Sequence, residues 1–122
     1  MLEEAERTLG LVLPSDLREL LSECNGVKDH FGTEVVWPAH ELAPRNEEFR
    51  RTPAFRRLYM PFDAVFFFGA TGNGDQFFYR ILDSEVREPD IYLWEHETDS
   101  RQWRAPRLEV VVADELGAAL EP

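Results

Sequence analysis

The sequence predicts an α+β fold: a central, mainly antiparallel sheet with N-terminal helices and a C-terminal helix packed on it. Three observations carry that expectation. Leu17, Leu20, Leu21 and Cys24 recur at the spacing of one buried helix face. Residues 60–82, MPFDAVFFFGATGNGDQFFYRIL, set two aromatic runs of period two around a glycine-rich turn. Further strand-like runs are joined by short turns, which makes that part antiparallel, before a terminal stretch of helical pattern. At 122 residues, one domain over 1–122 is expected, burying about two-thirds of its unfolded surface.

Residues 2–9 read as a short helix, with Leu2, Ala5 and Leu9 on one face and Gly10 ending it. Residues 14–24 form the clearest helix. Pro14 stands near its first position, and Asn25-Gly26 stops it, one of the two in the left-handed region. Cys24 falls on the apolar face and reads as a small core residue. Residues 27–33 are polar and read as loop, and Glu34–Trp37 as a short strand ended by Pro38. His40–Leu58 reads as a connection with helical pieces starting at Asn46 and at Thr52-Pro53, anchored by Phe49, Phe55 and Leu58.

Phe62–Gly69 and Phe77–Leu82 form the central hairpin. Both of its faces are apolar, which places it in the middle of a sheet. Ser84–Pro89 is a polar turn, and Ile91–His96 a long strand. Glu97–Arg101 is a hairpin loop, and Gln102–Arg104 a short return that sets Trp103 across from Trp94. Leu108–Val112 is β-branched and reads as a further strand. Asp114–Leu120 reads as the closing helix, with Leu116 and Leu120 toward the core.

Composition excludes several function classes. The net charge of −11 disfavours a nucleic-acid ligand, whose phosphates need a basic footprint, and suits a basic protein partner. Taken by itself, the charge fits bare solubility slightly better. Asp83, Glu85, Glu88, Asp90, Glu95, Glu97 and Asp99 form an acidic block. Arg45, Arg50, Arg51, Arg56 and Arg57 form a basic one, and the two blocks are candidates to pair. One cysteine excludes a disulfide framework and a multi-cysteine zinc site. The N-terminus has no signal-peptide pattern and no run reaches membrane-span length, so a cytoplasmic protein off the membrane is expected.

Tests for chemistry return little. Gly69–Gly74 is followed by QFFYRIL, a strand pattern, so it is a hairpin loop and not a phosphate loop. His30, His40 and His96 share no metal-ligand spacing, and no metal or cofactor is expected. Asp63 and Asp75 could face each other, and His96-Glu97 lies close to Asp99. Neither grouping has the spacing of a catalytic pair, and no nucleophile motif is present, so no enzyme activity is expected. Asp75 reads equally as a turn-binding aspartate and as a group presented to a partner.

The pattern Leu9-Gly10, Leu13-Pro14, Asp16-Leu17, Leu20-Leu21 and Asn25-Gly26, behind an acidic helix, resembles the start of the SUKH superfamily (the SMI/KNR type). Pro61-Phe62, Gly69, Gly74-Asp75 before an aromatic strand, and Val112-Ala113-Asp114 with Leu116 are similar to its later features. Residues 43–58 and 83–99 match no family pattern. The resemblance implies an α+β binding fold. Many bacterial members look like immunity proteins that neutralise a cognate toxin, often a nuclease, and fungal members are regulatory scaffolds of wall assembly. Charge and position, not a family motif, nominate the partner-binding residues: Asn73, Asp75, Asp83, Glu85, Glu88, Asp90 and, as an exposed aromatic, Trp94.

Overall fold

The computed structural model describes residues 2–117. Helices α1 (Leu2–Leu9) and α2 (Ser15–Glu23) open the chain as expected. Glu6 locks their junction: its carboxylate accepts the Leu13 N–H at 2.8 Å and pairs with Arg18. Leu17 and Leu21 are buried. Cys24 is not a core residue, because the backbone turns extended there and leaves the side chain exposed. Gly26 takes the left-handed conformation, φ +95°, with a Cβ position only 2.7 Å from the Val36 carbonyl oxygen.

Strands β1 (Val27–Lys28) and β2 (Glu34–Val36) pair antiparallel, so the segment read as polar loop contains a strand. Helix α3 (Ala39–Arg51) then runs unbroken through Pro44 and Asn46. Asn46 therefore starts no helix. Helix α4 (Pro53–Leu58) does begin at Thr52-Pro53, with proline at a first-turn position where its missing N–H costs nothing. Phe49 and Phe55 pack on the core, but Leu58 is 70% exposed and anchors nothing.

Four strands follow in sequence order, all antiparallel: β3 (Val65–Ala70), β4 (Gln76–Arg80), β5 (Ile91–Glu95) and β6 (Ser100–Ala105). The ring contacts sort the two faces. Phe66, Phe68, Phe77 and Tyr79 share one face, where the Tyr79 hydroxyl donates to Asp16 of α2 at 2.9 Å. Burial, with the Asp16 charge beside it, pushes the Tyr79 phenol far up, so it stays a proton donor. Phe67, Phe78, Tyr92 and Trp94 share the other face. There Phe49, Tyr59 and Phe62 close over Phe67 and Trp94.

The run Leu108–Val112, read as a further short strand, is part of helix α5 (Leu108–Glu115). Its β-branched residues favour a strand locally, but Leu108 and Val111 bury at helical spacing, and tertiary packing decides. The start of the expected closing helix, Asp114-Glu115, is the end of α5. Leu116 is half-buried at its C-cap, and Leu120 lies outside the described residues.

The central hairpin is not in the middle of the hydrogen-bonded order. β3 ends it, and its outer edge is closed by other means. Asn46, with 0% exposure, acts as a substitute strand. Its Oδ1 accepts the Phe67 N–H and its Nδ2 donates to the Phe67 carbonyl, both at 2.8 Å. Arg50 Nη2 donates to the Val65 carbonyl at 3.0 Å, and the Trp37 N–H to the Phe68 carbonyl at 2.8 Å. Buried backbone groups thus find partners without a neighbouring strand. β2 passes so close to β3 that a Cβ built on Gly69 would lie 1.7 Å from the Val35 carbonyl oxygen.

Candidate functional site

The helical cover over the Phe67 face stops short of the far strands. Phe78 and Trp94 are buried, but Tyr92 is half-buried and Trp103 is 57% exposed. Trp103 stands opposite Tyr92 in the β5–β6 register, and Trp94 stands opposite Arg101. The expected Trp94–Trp103 pair is therefore not formed. A bulge between Ile91 and Tyr92 leaves Arg104 without a cross-strand partner, and Arg104 pairs instead with Asp114 at 3.1 Å.

Around this open face the segment after β4 folds back. The Arg80 guanidinium lies 4.8 Å from the centre of the Tyr92 ring and pairs with Glu88. The Trp103 indole N–H donates to Asp90 at 2.9 Å. Arg87 pairs with Asp83 and Glu85, both at the tip. The acidic run thus pairs with Arg80, Arg87 and an indole. The expected basic partners pair nearer home, Arg45 with Glu34 and Glu41, and Arg51 with Glu47.

The tip is a two-residue hairpin turn. Leu82 and Glu85 exchange N–H···O bonds of 2.7 and 3.0 Å, and Asp83 (φ +50°) and Ser84 (φ +63°) both sit left-handed. Neither is glycine, so the turn stores strain of about 1 kcal/mol per residue. Ser84→Gly is accordingly expected to raise unfolding stability by about 0.5 kcal/mol, read from the urea midpoint at unchanged slope. A lower midpoint would mean that Ser84 is not held left-handed.

Asn73 and Asp75 lie at the opposite end of β4, about 16 Å of strand away at ~3.3 Å per residue. The Asn73 side chain accepts the Asp75 N–H at 3.3 Å and also bonds Thr71. Asp75 Oδ1 bonds the His96 ring at 2.8 Å and accepts the His96 N–H at 3.2 Å, tying the β3–β4 loop to the end of β5. Next to it, Asp99 accepts the Trp94 indole N–H, the Met60 N–H and Arg101. Burial would raise this carboxyl, but those three donors outweigh it and hold Asp99 below the usual carboxylate range. Asp75 is turned to His96, while Asp63 lies with Arg50, so the two carboxylates form no pair.

The nominated residues therefore divide. Asp83, Glu85, Glu88 and Asp90 gather at one end of β4, beside the open aromatic face. Asn73 and Asp75 hold a loop at the other. Trp94 is 3% exposed and sits in the core, so it is not the exposed aromatic; Trp103 is. The sequence carries no local signal for that difference, because in a strand the residues flanking Trp94 and Trp103 point to the opposite face.

Among the described residues no group of three His, Cys, Asp or Glu side chains could hold a metal ion, and no helix is long and apolar enough to cross a membrane. A family model described as SMI1-KNR4 cell-wall, one of the SUKH models, matches residues 1–109. That family is not known for enzymes. No curated protein and no solved structure matches the chain.

Proposed function

The chain belongs to the SUKH superfamily in its SMI1-KNR4 family, and from that premise we propose that it is an immunity-type protein, neutralising a cognate toxin by non-covalent binding. The observation that carries the reading is the acidic end of β4. In a chain of net charge −11, Asp83, Glu85, Glu88 and Asp90 stand together on a solvent-facing turn and loop beside exposed Trp103. A nuclease toxin has a basic substrate site, and an acidic face of this kind would meet it with complementary charge and steer it in. A regulatory or scaffold role, binding another cellular protein, is the second reading. The cell-wall wording of the family description favours it.

The two readings part in one experiment. Co-expression with a toxin domain encoded beside this gene should restore growth, and the two proteins should elute as a salt-sensitive complex. Growth arrest despite co-expression would remove the immunity reading. With a toxin in hand, the triple variant Glu85→Lys, Glu88→Lys, Asp90→Lys should weaken binding by about tenfold or more. Its stability should move by less than about 1 kcal/mol, because these carboxylates are on the surface. Unchanged affinity at low salt would sink the site.

A further inference from the structure

We propose that the free edge of β6, with the Tyr92–Trp103 face beside it, is the docking surface for an extended lysine- or arginine-bearing segment of a protein partner, which adds to the sheet as another strand. The inference rests on the protein-binding reading above and narrows it to one surface. The two ends of the sheet are built in opposite ways. At β3 the outward backbone groups are taken: Phe67 by Asn46, Val65 by Arg50 and Phe68 by Trp37. At β6, among the described residues, strand pairing runs to one side only, toward β5. Such an edge is a template for a further strand. The bulge at Arg104 ends the regular run, so Ser100–Trp103 is the stretch that can pair.

The face next to this edge has the chemistry of an interface. Trp103, Tyr92 and Arg80 are of the types that dominate binding energy. Asp90 already holds the Trp103 indole, and Arg80 is held by Glu88 and the Tyr92 ring, so these groups lose little freedom on binding. Charge selects the occupant. A second copy would bring another −11 and set the same acidic end against itself, whereas a basic segment meets it with opposite charge. In an added strand with basic residues at every second position, those side chains fall on one face, where Glu88 and Asp90 flank the aromatic pair.

The test uses the intact protein and a synthetic peptide of alternating lysine and valine, about eight residues long, with a glutamate–valine peptide as control. Binding is followed by amide NMR shifts and hydrogen exchange. The expected result is salt-sensitive binding of the lysine peptide that shifts the Ser100–Ala105 amides and the Trp103 indole N–H and slows amide exchange along β6. Affinity should fall by about tenfold in Trp103→Ala and in Glu88→Lys/Asp90→Lys. Glu19→Lys/Glu23→Lys, the same reversal on α2, should change it by less than about twofold. Shifts centred away from β6, or an equal loss in the α2 variant, would overturn the proposal. So would self-association that slows the same amides without peptide, since it would make a second copy the occupant. A toxin complex that restores growth but whose footprint spares β6 would also overturn it, while leaving the immunity reading standing.

Discussion

Gly69→Ala is expected to leave no stably folded protein. The added methyl would lie 1.7 Å from the Val35 carbonyl oxygen, 2.6 Å from its carbon and 3.2 Å from the Val36 Cα. All three are backbone atoms, so no flexible side chain can yield. Relief requires β2 to move off β3. That motion breaks the Trp37–Phe68 hydrogen bond and opens Val35, Val36 and Trp37, each at most 1% exposed. A cost above about 4 kcal/mol is the consequence, against a total stability of about 5–15 kcal/mol for a domain. Circular dichroism and a urea titration check it. A cooperative transition within about 1 kcal/mol of the parent would mean that β2 does not cross at Gly69.

Asn46 is the second position of large effect. Asn46→Ala removes both partners of the Phe67 backbone and leaves a buried N–H and a buried carbonyl unpaired. At about 1–3 kcal/mol for each of the two orphaned groups, a loss of about 2–6 kcal/mol is expected. Asn46→Leu should do no better, because filling the space does not satisfy Phe67. Asn46→Asp tests the hydrogen-bond directions separately. A carboxylate there would face the Phe67 and Leu42 carbonyls with no proton to donate, so burial raises its folded-state pKa above the unfolded value. The penalty is then absent below the unfolded pKa and grows as pH rises toward the folded one. The aspartate variant should therefore be closest to the parent near pH 4 and furthest at pH 7, in thermal melts at both. A loss that does not vary with pH would place the side chain in water.

Most of the element order was legible because periodicity is a local property. The α2 stripe, the central hairpin and the Thr52-Pro53 helix start all lie where the spacing and the turn residues set them. What failed depended on a partner remote in sequence. Asn46 looked like a helix cap because it precedes two glutamates, and nothing nearby announces an edge of β3 in need of an amide. Val110–Val112 looked like a strand because β-branched residues favour one until packing is counted. Trp94 and Trp103 are the same residue type on paired strands, and only the register and the reach of α3–α4 decide which is covered. The acidic run was visible as composition, but its division from Asn73 and Asp75 by the length of β4 was not.

The Asp16 carboxylate has a consequence in time. It receives the Tyr79 hydroxyl across 63 positions of sequence and the Leu108 N–H, at 3.4 Å, across 92. Contacts of such separation are reached late in a search, since their loops must close before they give anything back. On the ribosome, α2 emerges before both partners, and its anchor is completed only after β4 and then α5 have left the exit tunnel. Folding of this chain is then expected to be a late, whole-chain event rather than a front that advances with synthesis. The aromatic strands between are exposed throughout that wait, when a chaperone has most to do.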